Sequence, residues 1–262
     1  MRLSLLVTTY NWPAALEQVL RSVGRQTLRP LEVLVADDGS GEPTRALVAR
    51  MAAALPMPLH HVWQPDEGFR AARVRNLALA RARGDYLVML DGDMVLHPRF
   101  VEDYARLAGQ GEFVQGGRVL LGPAASRRVL AGAPLPGPLS PDIGNRQNLL
   151  RLPWLLKACS REQPGLRGTR SCCMGLWRED ALRVNGFDER FVGWGREDSE
   201  FTQRLLNSGL RRRRMRCGGV AFHLHHEERS REAVGGNDAL LEETLRQGRV
   251  RCERGIDGHR QE

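Results

Sequence analysis

Short apolar runs alternate with helical segments through the first third of this chain. Each run has the length and composition of a buried strand; the runs cover residues 3–7, 31–36, 59–63 and 86–90. In the intervening segments the apolar residues recur at helical spacing, as at Leu16, Val19 and Val23. Because strand and helix alternate in this way, we predict an α/β fold with a mostly parallel central sheet flanked by helices.

The fourth apolar run ends in Asp91-Gly92-Asp93. This places two carboxylates at the C-terminal end of a strand, where open α/β sheets bind their ligands. Hard oxygen ligands suit Mg²⁺ or Mn²⁺, which would bridge to a substrate diphosphate. Asp-Gly is also a common turn dipeptide, so the interpretation depends on the motifs that accompany it.

The second apolar run ends in a similar acidic pair, Asp37-Asp38, followed by Gly39-Ser40. The two acidic pairs are therefore expected at one edge of the sheet. A carboxylate at this position can accept a hydrogen bond from the N–H of a nucleotide base. Thr8 and Tyr10 follow the first run and can approach the same ligand.

A third motif runs from Gly193 through Trp194 and Gly195 to Glu197 and Asp198. Glycine on both sides of Trp194 exposes an aromatic face that can stack on a sugar ring. The two acids are expected in the first turn of a helix, whose dipole favours ionised carboxylates. Asp198 held against an acceptor hydroxyl can act as a general base. The alternative is an ordinary acidic first turn.

Three histidines, His223, His225 and His226, lie within four residues near the end of the strand-like sequence. Strand alternation places His223 and His225 on one face, with His226 just beyond the strand. Neutral imidazoles can complete a metal site that begins at Asp93. Mn²⁺ accepts such mixed ligands more readily than Mg²⁺ does.

The chain is basic, with 39 basic and 31 acidic residues and a net charge of +8. This charge fits a phosphorylated glycolipid, an anionic membrane or a nucleic acid. The run Arg211–Arg214 is expected to be a solvated strand, with membrane contact as the second possibility. No aromatic residues interleave with it, so we predict no nucleic-acid partner. The single lysine, Lys157, follows Leu156 rather than glycine, which excludes a Walker A loop.

Apolar stretches and cysteines bear on the cellular compartment. No stretch approaches the length of a transmembrane helix, and the five cysteines are odd in number with no Cys-x-x-Cys pair. We therefore expect a cytoplasmic protein, with possible peripheral contact at the inner membrane through an arginine-rich surface.

Taken in order, these motifs resemble the family 2 glycosyltransferases of the GT-A fold over residues 2–227. The matching segments are residues 7–11, 35–40, 72–76 and 90–93. The stretch 186–198 is similar to the bacterial chondroitin polymerases and the β-1,4-galactosyltransferases, which are inverting and use UDP-sugars. The resemblance implies a GT-A domain over residues 1–226, with a nucleotide-binding half at about 1–117 and an acceptor-binding half at about 118–226. Residues 227–262 would form a charged tail or lid.

The resemblance also assigns roles to residues. Donor-binding residues would be Thr8, Tyr10, Asp38, Arg75 and Asp91. The metal ligands would be Asp93, His223 and His226. Asp198, with Glu197, would be catalytic, and the acceptor would meet Trp194, Gly195 and Glu197.

The function implied is inverting, metal-dependent transfer of a sugar from a UDP-sugar to a glycan or glycolipid hydroxyl, in bacterial surface polysaccharide or lipopolysaccharide synthesis. One alternative is a sugar-phosphate nucleotidyltransferase, which generally carries a Gly-rich basic loop after the first strand, unlike residues 8–11 here. Another is a non-catalytic sugar or polyanion binder. The presence of Asp91, Asp93 and Asp198 together argues against this second alternative.

Overall fold

The computed structural model describes residues 1–227 and 234–259. Its strands are, in chain order, β1 Leu3–Thr9, β2 Glu32–Asp37, β3 Leu59–Trp63, β4 Tyr86–Asp91, β5 Met94–Leu96, β6 Glu112–Gln115, β7 Val119–Leu121, β8 Ile143–Gly144, β9 Arg161–Glu162, β10 Met174–Trp177, β11 Arg211–Arg214 and β12 Ala221–His223. Its α-helices are α1 Pro13–Gly24, α2 Glu42–Ala54, α3 Ala71–Arg81, α4 Phe100–Leu107, α5 Pro123–Leu130, α6 Leu156–Cys159, α7 Arg178–Arg183, α8 Glu197–Asn207 and α9 Val234–Gln247. Short 3₁₀ helices cover Arg146–Leu149 and Ile256–His259.

A large sheet with strand order β3-β2-β1-β4-β10-β6-β11-β9 forms the centre of the molecule. Its first four strands are parallel, β10 is antiparallel to both neighbours, and β11 runs parallel to β6. A smaller sheet has the order β5-β12-β7-β8. This arrangement confirms the predicted α/β fold.

The buried strands are apolar on both faces because helices cover both faces of the sheet. Leu5, Val33 and Val88 pack on the side that carries α1, and Leu6 and Leu34 pack on the side that carries α3. Burial of each such side chain contributes roughly 1.5–3 kcal/mol to folding. The core therefore fixes the strand ends in space, and those ends carry the polar motifs.

Strand register brings the acidic motifs together. Thr8 lies opposite Asp91, and Thr9 lies opposite Asp37. The backbone N–H of Gly92 donates to the carbonyl oxygen of Thr8 at 2.6 Å. A Cβ atom at Gly92 would lie 2.9 Å from Oγ1 of Thr9, so glycine is required where the chain crosses the end of β1.

The segment 122–144 is rich in proline and glycine, a composition typical of surface loops, yet it contains the helix α5 and the strand β8. Pro123 occupies the first turn of α5, where its missing N–H costs nothing. The carboxylate of Asp142 accepts a hydrogen bond from the N–H of Ala125 at 2.9 Å, and Val129 is buried. The high content of proline and glycine therefore concealed a capped helix.

The arginine run Arg211–Arg214 is not the solvated strand that the sequence indicated. It forms β11, which lies between β6 and β9 inside the large sheet. Arg212 is fully buried, and its guanidinium donates to Oγ1 of Thr169 and to the carbonyl of Arg167. Arg213 pairs with Glu112, whereas Arg211 at the start of the run remains exposed, so the run is solvated only in part.

The C-terminal region packs against the rest of the domain over residues 234–259. Thr244 on α9 is buried and donates to Glu200 on α8 at 3.0 Å. The side chain of Asn185 donates to the carbonyl of Cys252 at 3.0 Å. Of the charged tail or lid expected over residues 227–262, residues 228–233 and 260–262 lie outside the described residues. Among the helices that the structure describes, none has the length and apolar content needed to cross a membrane.

Candidate active site

A buried arginine on α3 joins the motifs that the sequence placed at separate strand and helix ends. The Nε of Arg75 donates to Oγ1 of Thr8 at 3.3 Å. One terminal nitrogen lies 3.2 Å from Oε1 of Glu197 and 3.4 Å from Oδ1 of Asp198. The other lies 3.7 Å from Oδ1 of Asp91. Arg75 therefore links the donor side of the sheet edge to the first turn of α8.

The charges around Arg75 shift the ionisation of their neighbours. Desolvation opposes the guanidinium charge, but the three carboxylates outweigh it and raise the pKa of Arg75. Desolvation raises the pKa of Asp91 to about 6 and that of Glu197 to about 7, and the nearby Asp198 charge adds to both shifts. Three acids thus share one cation, and at least one of them is partly protonated near neutral pH.

The two acids at the start of α8 differ in access. Glu197 is buried, with 8% of its surface exposed, whereas 23% of the Asp198 side chain is exposed. Both lie in the first helical turn, as predicted from the sequence. Asp198 is therefore the more accessible of the two acids.

Asn76 on α3 and the Phe187 ring hold the first turn of α8 in place. The side chain of Asn76 on α3 donates to the carbonyl of Phe187, and the N–H of Phe187 donates back to Asn76, both at 2.8 Å. The Phe187 ring lies under the Arg75 guanidinium at 5.2 Å and stacks on Phe201 of α8. These contacts position the charged groups. No sequence pattern predicted this role for Asn76, Phe187 and Phe201.

A cluster of three potential metal ligands lies at the end of the smaller sheet. One ligand atom from each of Asp93, His223 and His226 lies within 4.8 Å of the others. The Oδ2 atom of Asp93 lies 3.4 Å from Nε2 of His223 and 3.2 Å from Nε2 of His226. The pairing of β12 with β5 sets this geometry, because His223 lies opposite Met94, the residue after Asp93.

The donor atoms of this cluster fit a divalent cation such as Mn²⁺. The Oδ1 atom of Asp93 is buried and has no hydrogen-bond partner among the residues that the structure describes. Burial lowers the pKa of His223 to about 4, so its imidazole is neutral and able to coordinate at physiological pH. A carboxylate with two neutral imidazoles is a donor set that Mn²⁺ accepts.

The structure corrects one expectation about the histidines. Strand alternation paired His223 with His225, but β12 ends at His223 and the alternation ends with it. The N–H of His225 donates to Oγ of Ser126, and its side chain is exposed. His226 instead turns toward Asp93. Its ring packs edge-to-face with Trp12, and the two ring centroids are 6.0 Å apart.

The residues assigned to the nucleotide base lie at the ends of β1 and β2. Asp38 is buried and accepts hydrogen bonds from the Gln64 side chain at 2.5 Å and from the N–H of Arg70 at 2.9 Å. The Tyr10 hydroxyl donates to Asp66 at 2.9 Å. Asp38 thus anchors the loop before α3, and Asp66 is a partner that the sequence did not single out.

The loop that carries Trp194 is half-exposed and held at its base. Trp194 exposes 42% of its surface. The N–H of Gly193 donates to the carbonyl of Phe69 at 2.9 Å. Gly195 has φ = 107°, a conformation that side chains with Cβ rarely adopt, which explains the glycine after the tryptophan. The loop thus places a partly exposed tryptophan four residues before Asp198 in the sequence.

The helix α9 fastens the same loop from the C-terminal side. The side chain of Asn237 is buried and donates to the carbonyl of Gly195 at 2.8 Å and to that of Val192 at 3.3 Å. Asp238 forms an ion pair with Arg196. The sequence did not predict these contacts, because they join residues about forty positions apart. Asn237 and Asp238 lie near the start of α9, where Asn and Asp are common in any helix.

A further cation faces the metal cluster. Desolvation is the main cause of the lowered pKa of His223 and of the raised pKa of Asp91, and the charge of Arg118, which follows β6, adds to the first shift and opposes the second. Its backbone carbonyl accepts a hydrogen bond from Asn148 at 2.7 Å. Its guanidinium lies 3.8 Å from Sγ of Cys172, and its charge acts on both Asp91 and His223.

Family models match this chain over most of its length. The model described as glycosyl transferase family 2 matches residues 4–183. The chain belongs to glycosyl transferase family 2. A second model, described as the N-terminal domain of galactosyltransferase, matches residues 158–227, which contain Asp198 and His223. The resemblance noted from the motifs is thus confirmed.

Curated relatives include chondroitin synthase of Escherichia coli, 29% identical over 84% of this chain and 34% of that protein. Hyaluronan synthase of Pasteurella multocida is 31% identical over 79% of this chain and 23% of its own length. Validoxylamine A glucosyltransferase of Streptomyces hygroscopicus subsp. limoneus is 30% identical, with 79% and 48% covered. The chain therefore spans between about a quarter and a half of these relatives.

Solved structures share the fold at lower identity. S. aureus TarS in complex with UDP-GlcNAc aligns with a TM-score of 0.65 and 16% identity, over 99% of this chain and 69% of that one. The mannosyltransferase PcManGT from Pyrobaculum calidifontis, in complex with GDP-Man and Mn²⁺, aligns with a TM-score of 0.62 and 21% identity, over 94% and 64%. These neighbours confirm the GT-A fold.

Proposed function

We propose that this protein is an inverting, metal-dependent glycosyltransferase that moves a sugar from a UDP-sugar to a hydroxyl of a glycan or glycolipid. The observation that carries the proposal is the Arg75 bridge between Asp91 at the donor edge and Asp198 at the acceptor side. One cleft thereby combines a diphosphate site with a reachable carboxylate. This combination suits sugar transfer better than binding alone.

Asp93, His223 and His226 would hold a Mn²⁺ or Mg²⁺ ion on the donor side. When bound, such a cation supplies positive charge that stabilises a departing diphosphate. Arg118 adds a second positive charge facing this cluster. Asp91 and Thr8, both in contact with Arg75, would orient the donor at the edge of the sheet.

Asp198 would act as the general base. Its exposed carboxylate would take the proton of the acceptor hydroxyl as that oxygen forms a bond to the anomeric carbon. The bond from the anomeric carbon to the diphosphate oxygen breaks at the same time, and the electron pair leaves with the nucleoside diphosphate. Because attack and departure occur on opposite faces, the anomeric configuration inverts.

Arg75 and Glu197 would position this base. The guanidinium holds Asp198 by a hydrogen bond and shares its charge with Glu197, whose pKa is raised to about 7 by desolvation. A protonated Glu197 leaves more of the Arg75 charge for Asp91 and Asp198. Trp194 would stack on the acceptor sugar beside Asp198, with Gly195 allowing the loop to take its shape.

The donor and the pathway are argued from relatives. Chondroitin synthase and hyaluronan synthase are named for polysaccharide synthesis, and TarS has been solved with UDP-GlcNAc, which supports a UDP-sugar and a role in bacterial surface polysaccharide or lipopolysaccharide. PcManGT has been solved with GDP-Man, so GDP-sugars should be tested as donors beside UDP-sugars.

A panel of nucleotide sugars tests the proposal. The protein is incubated with UDP-, GDP- and ADP-sugars, Mn²⁺ and simple glycoside acceptors, and both nucleoside diphosphate release and the anomeric configuration of the product are measured. We expect release from a UDP-sugar and an inverted product. Retention of configuration, or formation of a nucleotide sugar from a sugar phosphate and a nucleoside triphosphate, would contradict it.

A further inference from the structure

A short segment between the 3₁₀ helix Arg146–Leu149 and α6 presents large apolar side chains to solvent. Trp154 exposes 75% of its surface, Leu150 exposes 51% and Leu155 exposes 38%. Side chains of this size are usually withdrawn from water, so three of them within six residues form an apolar protrusion. We refer to Leu150, Trp154 and Leu155, together with the exposed Lys157, as the Trp154 surface.

The backbone beneath the Trp154 surface is firmly held. Arg151 makes two hydrogen bonds to the buried carboxylate of Asp103, at 2.8 and 2.9 Å. The N–H of Leu152 donates to the carbonyl of Cys217 at 3.0 Å, and Leu156 is buried. Anchored residues therefore flank the exposed ones, and the exposure is a consequence of the fold rather than of a loose loop.

The charge around this surface is strongly positive. From Arg118 to Arg170 the sequence contains nine basic and two acidic residues, so this stretch carries +7 of the net charge of +8. Lys157 is exposed two positions after Leu155, and Arg161, Arg167 and Arg170 are exposed further along. Arg151 is engaged with Asp103, but most of the basic residues in this stretch are exposed to solvent.

We propose that the Trp154 surface docks on an anionic lipid bilayer. Tryptophan prefers the boundary between headgroups and acyl chains, where its ring is apolar and its N–H remains hydrated. Leu150 and Leu155 add apolar area on either side, and the surrounding Lys157 and arginines match a negatively charged headgroup layer. Insertion of apolar groups combined with charge attraction is the pattern of peripheral membrane proteins.

The segment that leads into the Trp154 surface contacts a residue whose charge acts on the metal cluster. The Asn148 side chain, two positions before Leu150, donates to the carbonyl of Arg118, whose charge faces His223. A bilayer at the Trp154 surface would thus lie near the donor site. This part of the inference rests on the proposed function: a lipid-linked acceptor would reach the base without leaving the membrane.

Vesicle sedimentation tests the inference without any nucleotide sugar. The whole chain is mixed with vesicles of phosphatidylcholine alone or with added phosphatidylglycerol. We expect binding that needs phosphatidylglycerol, weakens with salt, and falls at least about tenfold in Trp154→Ser and in Leu155→Ser. Leu245→Ser on α9, a residue of similar exposure remote in sequence, is the matched control and should bind like the unmodified protein.

Folding is checked by thermal midpoints, and Lys157→Gln, which leaves the apolar residues intact, gives a second variant that should also lose binding to anionic vesicles. Failure to bind anionic vesicles, or equal losses in Trp154→Ser and Leu245→Ser, would overturn the inference. A dimer in sedimentation velocity that Trp154→Ser dissolves would overturn it too, since a second copy would then cover the surface. Because no sugar transfer is measured, these outcomes are independent of the proposed transferase activity.

Discussion

The guanidinium of Arg75 donates a hydrogen bond to the carboxylate of Glu197 at 3.2 Å, and both side chains are buried. This contact joins α3 to the first turn of α8. An unpaired charge at either position would be costly, because water cannot replace the missing partner. The charges at the edge of the sheet and in the first turn of α8 are therefore electrostatically dependent on each other.

The first prediction concerns the shape of that bridge. Arg75→Lys keeps the charge but loses the planar fork that reaches Thr8, Asp91, Glu197 and Asp198 together. We expect kcat to fall by at least about tenfold, because the carboxylates are no longer held in fixed geometry. Arg81→Lys, on the exposed end of the same helix, is the control. If the Arg75→Lys variant keeps the kcat of the unmodified protein, the Arg75 contacts do not position the carboxylates for catalysis.

The second prediction concerns pH and stability. The pKa of Glu197 is raised from its ordinary 4.5 to about 7, so its protonated form favours the folded state. The stability gained in this way is complete below pH 4.5 and is lost as pH rises through about 7. The glutamine in Glu197→Gln cannot titrate. As pH rises from 4.5 to about 7, the thermal midpoint of this variant should therefore increase relative to that of the unmodified protein. Glu179 is an exposed acid on α7, and the Glu179→Gln control should show no such trend. If the thermal midpoints of Glu197→Gln and of the unmodified protein change with pH in parallel, the raised pKa of Glu197 is contradicted.

The third prediction separates the base from donor binding. Asp198→Asn keeps the size and much of the hydrogen bonding of the side chain but cannot accept the acceptor proton. A loss of at least ~10²-fold in kcat is expected for removal of a general base. Donor affinity, measured by calorimetry, should stay within about twofold, since Asp198 addresses the acceptor. Near-normal turnover with a collapsed donor affinity would reverse the roles.

The fourth prediction concerns the contact between α9 and the Trp194 loop. Asn237→Ala removes the hydrogen bonds to Val192 and Gly195, so the loop loses its fixed position. We expect the KM for the acceptor to rise roughly tenfold while donor affinity is unchanged. The neighbouring exposed acid changed in Glu242→Ala provides the control. If the acceptor KM is unaltered, the helix stabilises the fold without shaping the site.

Much of the donor edge follows from the sequence alone. Parallel strands end at a common edge, so the polar residues after β1, β2 and β4 had to converge, and the register of Thr8 with Asp91 bears this out. The helix that starts at Glu197 was also readable, because the acids and the preceding glycines are local signals. Local pattern and sheet geometry together were sufficient for these elements.

Other features depend on contacts that no local pattern records. His226 rather than His225 faces Asp93, because β12 stops before the alternation reaches it. Arg212 is buried because β9 covers the outer edge of β11, which a run of arginines does not reveal. Asn237 reaches the Trp194 loop only through the packing of α9 on α8. Each of these results from tertiary pairing between distant segments.

The central claim is that the donor binds through the Asp93, His223 and His226 cluster while Asp198 serves the acceptor. Calorimetric titration of UDP in the presence and absence of Mn²⁺ tests it, with His223→Ala and Asp198→Asn measured beside the unmodified protein. The account predicts that UDP binding requires Mn²⁺, weakens at least about tenfold in His223→Ala and is unchanged in Asp198→Asn. Equal binding of UDP in excess chelator, or full metal-dependent binding by His223→Ala, would contradict it.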